Sequence, residues 1–373
     1  MPDFLSDDLV AWRRRARDLA VDHLVALADD DALDTRERGA RVGRASKDAG
    51  VYELARGGAD LPGAGEPALR MLVVREELAR HGVGHLPNVF GPGPGLLAGV
   101  DEPLRSTHLA PLLDGHKRAG FAFTEPADAP RPTHAHLDGD ELVVTGAKSY
   151  VTGGADADFL TATVDVEGEG PAMVVIDVDL PGVRITRRFD SYDGSHHAAF
   201  AFDEARVPRS HVLGAAGGGR GRALEAISAA RRAIVADCVG TTLRVLELVE
   251  AHLGTERRDG RRPGDRERAR LRYGELRISA YAARSAAYRT ARLSDAGENV
   301  VNETIAAKVL ATEVAGTVAD TAVQLVGGEA LVVGHPLERI VRRVRTLRLA
   351  EGETDTLAIN VARGRLDLDL GRI

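Results

Sequence analysis

Cysteine is almost absent from this sequence of 373 residues, in which Cys238 is the single copy. One cysteine cannot form a disulfide within the chain, and such sparse usage is typical of proteins from a reducing cytoplasm. Cys238 lies between Ile234 and Val239 in a helical pattern of apolar residues. We therefore expect a small buried core residue rather than a catalytic thiol.

An excess of positive charge is also lacking. The sequence has 56 acidic and 49 basic residues, which gives a formal net charge of −7. Proteins that bind nucleic acid need a basic surface for the phosphates, so this balance argues against nucleic acid as the main partner. Arginines interleaved with acidic residues, as in residues 265–268, are typical of solvated helix faces that carry ion pairs.

Long uncharged apolar runs are missing as well. We find no stretch that approaches the length needed to span a bilayer. The first residues are acidic, whereas a signal peptide begins with basic residues and continues with a long apolar run. With 44% hydrophobic residues the chain is as apolar as an ordinary globular protein. These features predict a soluble, cytoplasmic protein without a membrane partner.

The period of the apolar residues divides the chain into three parts. In the first part they recur at steps of three and four, as in a helix. From about residue 119 the period falls to two, and residues 160–166 alternate as in a half-buried strand. Helical spacing returns from residue 222. We predict an α+β fold with an N-terminal helical domain (residues 1–118), a central β-barrel-like domain (119–221) and a C-terminal helical domain (222–373).

Two motifs of the middle part carry polar and aromatic groups. Residues 121–126 (Phe-Ala-Phe-Thr-Glu-Pro) place Thr124 where a strand ends at a turn. Residues 146–152 (Gly-Ala-Lys-Ser-Tyr-Val-Thr) place Tyr150 and Thr152 two apart, on the same side of a strand. A hydroxyl can bond a polar heterocycle, and an aromatic ring can cover a flat one. Taken alone, both motifs are also compatible with a plain junction between strand and turn.

A carboxylate and a glycine, Glu351 and Gly352, follow an arginine-rich apolar helix. The glycine can adopt backbone angles closed to other residues and lets a ligand approach closely. A carboxylate held at such a point can remove a weakly acidic proton if water is kept away. The alternative is that Glu351 only caps a helix or pairs with Arg345 or Arg348. Glu353 either raises the pKa of Glu351 by like-charge repulsion or points to solvent.

Together these motifs resemble the acyl-CoA dehydrogenase family of flavoenzymes. The resemblance rests on Thr-Glu-Pro at 124–126, the strand motif at 146–152, Gln-Leu-Val-Gly-Gly at 324–328, Pro-Leu-Glu-Arg at 336–339 and Glu-Gly at 351–352. It implies a C-terminal four-helix bundle and FAD as the cofactor. It also implies α,β-dehydrogenation of an acyl thioester to the trans-2-enoyl thioester.

The resemblance assigns roles to individual residues. Glu351 is the implied catalytic base, with Arg231 and Gly352 beside the substrate. Ala230 occupies the position where some branches carry the base, and alanine cannot act as one. The implied FAD contacts are Phe123, Thr124, Tyr150, Thr152, Arg257, Arg258, Gln324, Gly327 and Gly328. No metal site is predicted, because the pair His134 and His136 has no third ligand at useful spacing and is interpreted as a solvated loop.

One segment departs from the family. Residues 127–132 (Ala-Asp-Ala-Pro-Arg-Pro) replace its Gly-Ala-Gly-Ser-Asp, so the serine that usually helps to bind phosphates is missing. The thioester carrier is therefore left open between CoA and an acyl carrier protein. The electron acceptor is an electron-transfer flavoprotein or oxygen, and the implied assembly is a homotetramer or homodimer. The alternatives are a flavin-dependent oxidase or N-hydroxylase on the same scaffold, and a non-catalytic homologue that binds flavin or an acyl carrier.

Overall fold

A computed structural model of the chain describes residues 5–30, 32–56, 66–214 and 219–371. Helices are followed by strands and then by helices again, which is the predicted α+β order. The chain divides into two compact units, a helical unit (residues 1–90 and 228–373) and a strand-rich unit (residues 91–227). The division into three domains at residues 118 and 221 stays a prediction, and residues 215–218 beside the second boundary lie outside the described part.

The N-terminal part of the helical unit forms by amphipathic packing. The first helix begins after Ser6, whose hydroxyl oxygen accepts the Leu9 backbone N–H at 3.4 Å. Its predicted apolar face is buried and includes Trp12, which is 4% exposed. The helices are α1 (Asp7–Leu19), α2 (Val25–Asp29), α3 (Thr35–Asp48) and α4 (Pro67–Arg80), with a π-helical turn at Ala20–Leu24 and a 3-10 turn at Tyr52–Arg56.

The strand-rich unit is built on one seven-stranded mixed sheet. A π-helical turn (Arg105–Leu109) and the short helix α5 (Ala110–Leu113) precede it, where the sequence predicts a short helix. The strand order is β1-β4-β2-β3-β7-β6, and β5 pairs with β4. The strands are β1 (Ala119–Ala122), β2 (His134–Asp138), β3 (Glu141–Thr152), β4 (Phe159–Val166), β5 (Gly170–Asp177), β6 (Val183–Asp190) and β7 (His196–Pro208).

Two strands lack a clear apolar signal in the sequence. The prediction that His134 and His136 lie in a solvated loop is wrong, because both lie on β2, which pairs with β3 and β4. The other strand is β6, which is rich in arginine and pairs with β7. The backbones of β2 and β6 pair with neighbouring strands that are strongly apolar. Pairing with these neighbours therefore determines that β2 and β6 are strands, more than their own composition does.

Long helices form the C-terminal part of the helical unit, as the helical spacing from residue 222 predicts. These helices are α6 (Gly219–Gly254), α7 (Glu267–Asp295), α8 (Val301–Val326), α9 (Pro336–Leu347) and α10 (Thr354–Leu368). Residues of α1, α4, α6, α7, α8 and α9 share one hydrophobic core cluster. Cys238 of α6 lies in that cluster with no exposed surface, and burial raises the pKa of its thiol, so the predicted core role is confirmed.

Helix α8 corrects one expectation from the sequence. Among the described helices it alone is long and apolar enough to cross a membrane by length and composition. Two of its charged residues, Glu303 and Lys308, are buried at 3% and 0% exposure, and its alanine face packs into the helical core. Core helices of soluble proteins pass the same test of length, so α8 is weak evidence for a membrane span.

A glycine in α6 sets how closely α4 approaches. A Cβ atom on Gly240 would overlap the Glu76 carbonyl oxygen and lie 2.7 Å from Ala79 Cβ. We predict that Gly240→Ala lowers the free energy of unfolding by about 1–3 kcal/mol through overpacking. Gly274, in α7, has no atom within 4 Å of its Cβ position, so Gly274→Ala should raise that free energy by about 0.5–1 kcal/mol. Urea denaturation measures both changes, and equal effects at the two sites would contradict the close contact.

Candidate functional site

The proposed base lies in the tight turn between α9 and α10. Glu351 has φ +55° and Gly352 has φ +108°, so two successive residues occupy the left-handed region. Glycine takes this conformation without strain, whereas a residue with a side chain does so only when its surroundings impose it. A Cβ atom on Gly352 would also lie 2.9 Å from Leu357 Cδ2. The glycine is thus required both by its backbone angles and by lack of space.

Two buried cations hold this turn through its backbone carbonyls. Lys308 Nζ, on α8, donates to the Gly352 carbonyl at 2.8 Å and to the Arg348 carbonyl at 3.0 Å. Arg231 Nε, on α6, donates to the Glu351 carbonyl at 2.9 Å. Lys308 is 0% exposed and Arg231 is 8% exposed. Since these donors are fixed in helix interiors, the turn is held in one conformation and the Glu351 side chain starts from a fixed backbone position.

The Glu351 carboxylate is poised to exchange a proton. Burial raises its pKa, and the nearby charges of Arg231 and Lys308 oppose that rise in part. Within the described part of the chain no group donates a hydrogen bond to this carboxylate or forms an ion pair with it. A half-buried carboxylate that is held by its backbone alone keeps its oxygens available to a ligand.

The structural alternatives for Glu351 do not apply. Arg348 pairs with Glu313 instead, with Nε–Oε1 at 2.9 Å and Nη2–Oε2 at 2.6 Å. Arg345 is exposed and forms no ion pair with Glu351 within the described residues. The question left open for Glu353 is answered as well. Its carboxylate caps α10 by accepting the Thr356 N–H at 2.8 Å, and this hydrogen bonding lowers its own pKa.

Sequence reasoning missed Lys308. Burial, helped by the nearby Arg231 charge, lowers the pKa of this lysine to about 8. The available signal is a single lysine among Ile305, Ala307 and Ala311 on the apolar face of a helix. A buried cation of this kind needs acceptors, and here the carbonyls at the Glu351 turn supply them.

In the strand-rich unit, the segment after β1 is fastened to β3. The Thr124 carbonyl accepts the Ser149 N–H at 2.8 Å. The next residue, Glu125, forms an ion pair with Lys148, which is 0% exposed, at a Nζ–Oε1 distance of 2.7 Å. Glu125 also accepts the Thr133 N–H at 2.9 Å. The two motifs predicted to wrap the flavin are therefore brought together by a buried ion pair and a backbone hydrogen bond.

Tyr150 and Thr152 both lie on the exposed side of β3, although not as ordinary strand neighbours. A bulge in the pairing with β7 falls between Lys148 and Val151, and Tyr150 has φ +53°. The Tyr150 ring is 63% exposed and lies 6.2 Å from the His197 ring, centroid to centroid. Thr152 Oγ1 lies 3.3 Å from His197 Nδ1. The structure thus adds His197, which the sequence gave no reason to select.

Aromatic side chains border the same part of the unit. Phe189 lies 5.2 Å from Tyr150 and 5.5 Å from His197 between ring centroids. Phe123 is 43% exposed and stacks on Phe121 at 5.8 Å. Exposed aromatic rings beside hydroxyl and imidazole groups suit a flat heterocycle with polar edges.

The other predicted FAD contacts lie in the helical unit, where Arg257 and Arg258 line a surface cavity and Gln324, Gly327 and Gly328 are not part of its lining. Arg257 and Arg258 lie in the exposed loop after α6. Gln324 is exposed near the end of α8, and Gly327, with φ +91°, ends that helix before Gly328. A cavity of about 790 Å³ is lined by this loop and by Glu329, the residue that follows Gly328. Its lining is His252, Thr255, Glu256, Arg257, Arg258, Asp259, Pro263 and Glu329.

The cavity contains a polar atom that lacks a partner. His252 Nε2 is buried and has no hydrogen bond among the described residues. Burial lowers the pKa of His252, with a further contribution from Arg257, and so favours the neutral ring. An unpaired buried nitrogen beside two arginines suits a polar, anionic portion of a large ligand. Sequence reasoning missed His252 because a lone histidine on a helix has no distinguishing pattern.

Comparison with known proteins gives consistent matches. Residues 217–366 match the family model for the acyl-CoA dehydrogenase C-terminal domain. The chain is 25% identical to the mitochondrial short-chain specific acyl-CoA dehydrogenase of Homo sapiens, over 81% of this chain and 77% of that protein. It is also 25% identical to the caffeyl-CoA reductase-Etf complex subunit CarC of Acetobacterium woodii, over 78% of this chain and 81% of that protein.

A solved structure confirms the fold. The acyl-CoA dehydrogenase from Geobacillus kaustophilus superposes with a TM-score of 0.81 at 21% identity, covering 98% of this chain and 99% of that one. Helices, a mixed sheet and further long helices, with a glutamate at the turn before the last helix, define an α+β protein of the acyl-CoA dehydrogenase fold. The family model, the curated relatives and the solved structures all support the acyl-CoA dehydrogenase family, which the motifs in the sequence predict.

The buried ammonium of Lys308 predicts a specific pH dependence of stability. Its pKa is about 8 in the folded state and 10.5 ordinarily, so the unfolded state binds more protons between these values. The charged group therefore opposes folding below pH 8, and this opposition is relieved as the pH rises. We predict that the free energy of unfolding of the wild type rises relative to Lys308→Met, on the order of 1 kcal/mol per pH unit in that window.

Chemical denaturation of both proteins between pH 7 and 10 measures the difference. Lys47→Met, at an exposed lysine, is the matched control and should leave the pH dependence of the wild type unchanged. A Lys308→Met difference that stays constant with pH, or that changes in the opposite direction, would show that Lys308 is not a desolvated ammonium.

Proposed function

We propose that this protein is an FAD-dependent oxidoreductase that removes hydrogen from Cα and Cβ of an acyl-CoA thioester, with Glu351 as the base. The observation that carries the proposal is the state of the Glu351 carboxylate. It is half-buried, its pKa is raised, and no group among the described residues bonds to it. Catalytic bases need a pKa near the working pH and an approach free of competing partners.

The chemistry begins at the α-carbon, whose proton is acidified by the thioester carbonyl. Glu351 takes this proton and becomes a neutral carboxylic acid, the form that its buried position favours. The Arg231 and Lys308 charges limit the rise in the pKa of Glu351. Because both cations also hold the backbone of the turn, they orient the base as well as tune it.

FAD is the cofactor that the family indicates, and the residues of this chain fit it. When bound, FAD accepts the hydride equivalent from Cβ. In the strand-rich unit, Tyr150, Thr152 and Phe123 present ring faces and a hydroxyl that suit the isoalloxazine. In the helical unit, the cavity with Arg257 and Arg258 suits the charged portion of the cofactor, and His252 Nε2 is the unpaired atom that such a ligand would satisfy.

The proposed partners are an acyl-CoA substrate and an electron-transfer flavoprotein. The similarity to a subunit of a reductase-Etf complex supports both. It also favours a second candidate, reduction of an enoyl-CoA, in which protonated Glu351 would return the proton to Cα and the hydride to Cβ would come from bound reduced FAD. An acyl carrier protein is the alternative carrier, because residues 127–132 lack the family's serine. Oxygen is the alternative electron acceptor. An oxidase or N-hydroxylase needs no α-proton base, so the available Glu351 carboxylate counts against both.

The predicted homotetramer or homodimer stays a prediction. It is favoured by an apolar run that follows the predicted FAD contacts Gly327 and Gly328. Leu331, Val332 and Val333 are 67%, 60% and 86% exposed, respectively. Consecutive exposed apolar residues of this kind are typical of surfaces that a partner subunit covers.

A matched pair of variants tests the proposed base. We predict that Glu351→Gln slows anaerobic bleaching of bound FAD by an acyl-CoA at least about 100-fold, because the amide cannot accept the α-proton. Glu353→Gln, two residues away, should keep the wild-type rate, since Glu353 caps α10. Stopped-flow absorbance with a panel of acyl-CoA and acyl-carrier thioesters measures the rates and identifies the carrier. A protein that is purified without flavin and does not take up FAD, or an unchanged rate in Glu351→Gln, would refute the proposed function.

A further inference from the structure

Three potential metal ligands from separate segments meet inside the strand-rich unit. His108 lies in the π-helical turn before α5, Asp177 ends β5, and His211 lies in the 3-10 turn (Arg209–His211) after β7. One ligand atom from each of the three lies within 4.8 Å of the others. The two histidines are 2% and 8% exposed, and Asp177 is intermediate. The sequence predicts no metal site, and the His134 and His136 pair does not belong to this set of three residues.

Hydrogen bonding fixes the state of the His211 ring. Its Nδ1 lies 3.1 Å from the Val175 carbonyl oxygen, which can only accept a hydrogen bond. Nδ1 therefore carries the proton, and Nε2 keeps its lone pair. Histidines that bind metal ions commonly donate their other ring N–H to a carbonyl or carboxylate in this way.

The His108 ring is fixed in a similar manner. Its Nδ1 lies 2.8 Å from Thr107 Oγ1, and the Thr107 hydroxyl donates its only proton to the Pro103 carbonyl at 2.8 Å. His108 Nδ1 is then the donor to Thr107, and His108 Nε2 keeps a lone pair. That lone pair faces Asp177 Oδ1 at 3.0 Å. In this tautomer a metal ion between Nε2 and Oδ1 would satisfy both atoms.

The spacing suits a metal ion. Zinc binds imidazole nitrogen and carboxylate oxygen at about 2.0–2.2 Å, so two tetrahedral ligands lie about 3.3 Å apart. The Nε2–Oδ1 distance of 3.0 Å is close to this value. We propose that His108, Asp177 and His211 bind one divalent transition-metal ion of the zinc class. The ion would join three separate segments of the strand-rich unit, so its role is structural and independent of the proposed flavin chemistry.

Lys117 provides the competing arrangement. Its Nζ lies 3.6 Å from the same Asp177 oxygen, and its side chain is 32% exposed. Without a metal ion, this ammonium and the His108 ring are the partners of the carboxylate. If a metal ion and the Lys117 ammonium compete for Asp177, removal of that ammonium should strengthen metal binding.

The test uses the full-length chain without an affinity tag, treated with a chelator and then titrated with Zn²⁺ by calorimetry. We expect one ion per chain. Asp177→Asn and His211→Gln should each weaken binding at least about 100-fold, and Lys117→Gln should strengthen it. The control is His196→Gln, because His196 and Asp190 form an exposed pair at 2.6 Å with no third ligand among the described residues. Its Zn²⁺ affinity should equal that of the wild type.

If a ligand variant fails to fold, a second measurement on the wild-type protein tests whether the metal site exists. Wild-type protein titrated with Co²⁺ should develop the visible absorption of a four-coordinate nitrogen and oxygen site at one equivalent. Wild-type protein that binds neither ion would overturn the proposal. Zn²⁺ binding that is equally strong in folded Asp177→Asn and His211→Gln would overturn it as well.

Discussion

The candidate site depends on hydrogen bonds from two buried cations to three backbone carbonyls. Lys308 and Arg231 hold the Arg348, Glu351 and Gly352 carbonyls at 2.8–3.0 Å. These hydrogen bonds stabilise the left-handed conformation of Glu351, which a glutamate would rarely adopt otherwise. It also places positive charge near a carboxylate whose pKa burial raises. Position and proton affinity of the base therefore have a common structural origin.

The same arrangement keeps other charges away from Glu351. Arg348 is held by Glu313, whose Oε1 also accepts the Thr354 hydroxyl at 3.1 Å. Glu353 is held by the first turn of α10. Arg348 and Glu353, the charged residues nearest to Glu351 in sequence, thus each have their own partner. The Glu351 carboxylate is therefore buried near two cations whose hydrogen bonds go to backbone carbonyls. This environment is expected of a general base rather than of an ion pair.

Much of the architecture was predictable from the sequence, because long helices with regular apolar spacing are specified locally. The long helices after residue 222 and the buried Cys238 are examples. Strand β2 was missed because its pairing with β3 and β4 depends on residues distant in sequence. The Glu351–Gly352 pair was visible as a motif. Lys308, His197 and His252 were not, because their importance comes from partners on other elements that no local pattern reveals.

The central claim is that burial at the turn raises the pKa of Glu351. The direct measurement is a titration of the δ-carbon resonance of ¹³C-labelled glutamate by NMR, with the Glu351→Gln spectrum used to assign the signal. The account predicts a midpoint above the ordinary value of 4.5. A midpoint at or below 4.5 would mean that the two cations outweigh burial, and it would contradict the account.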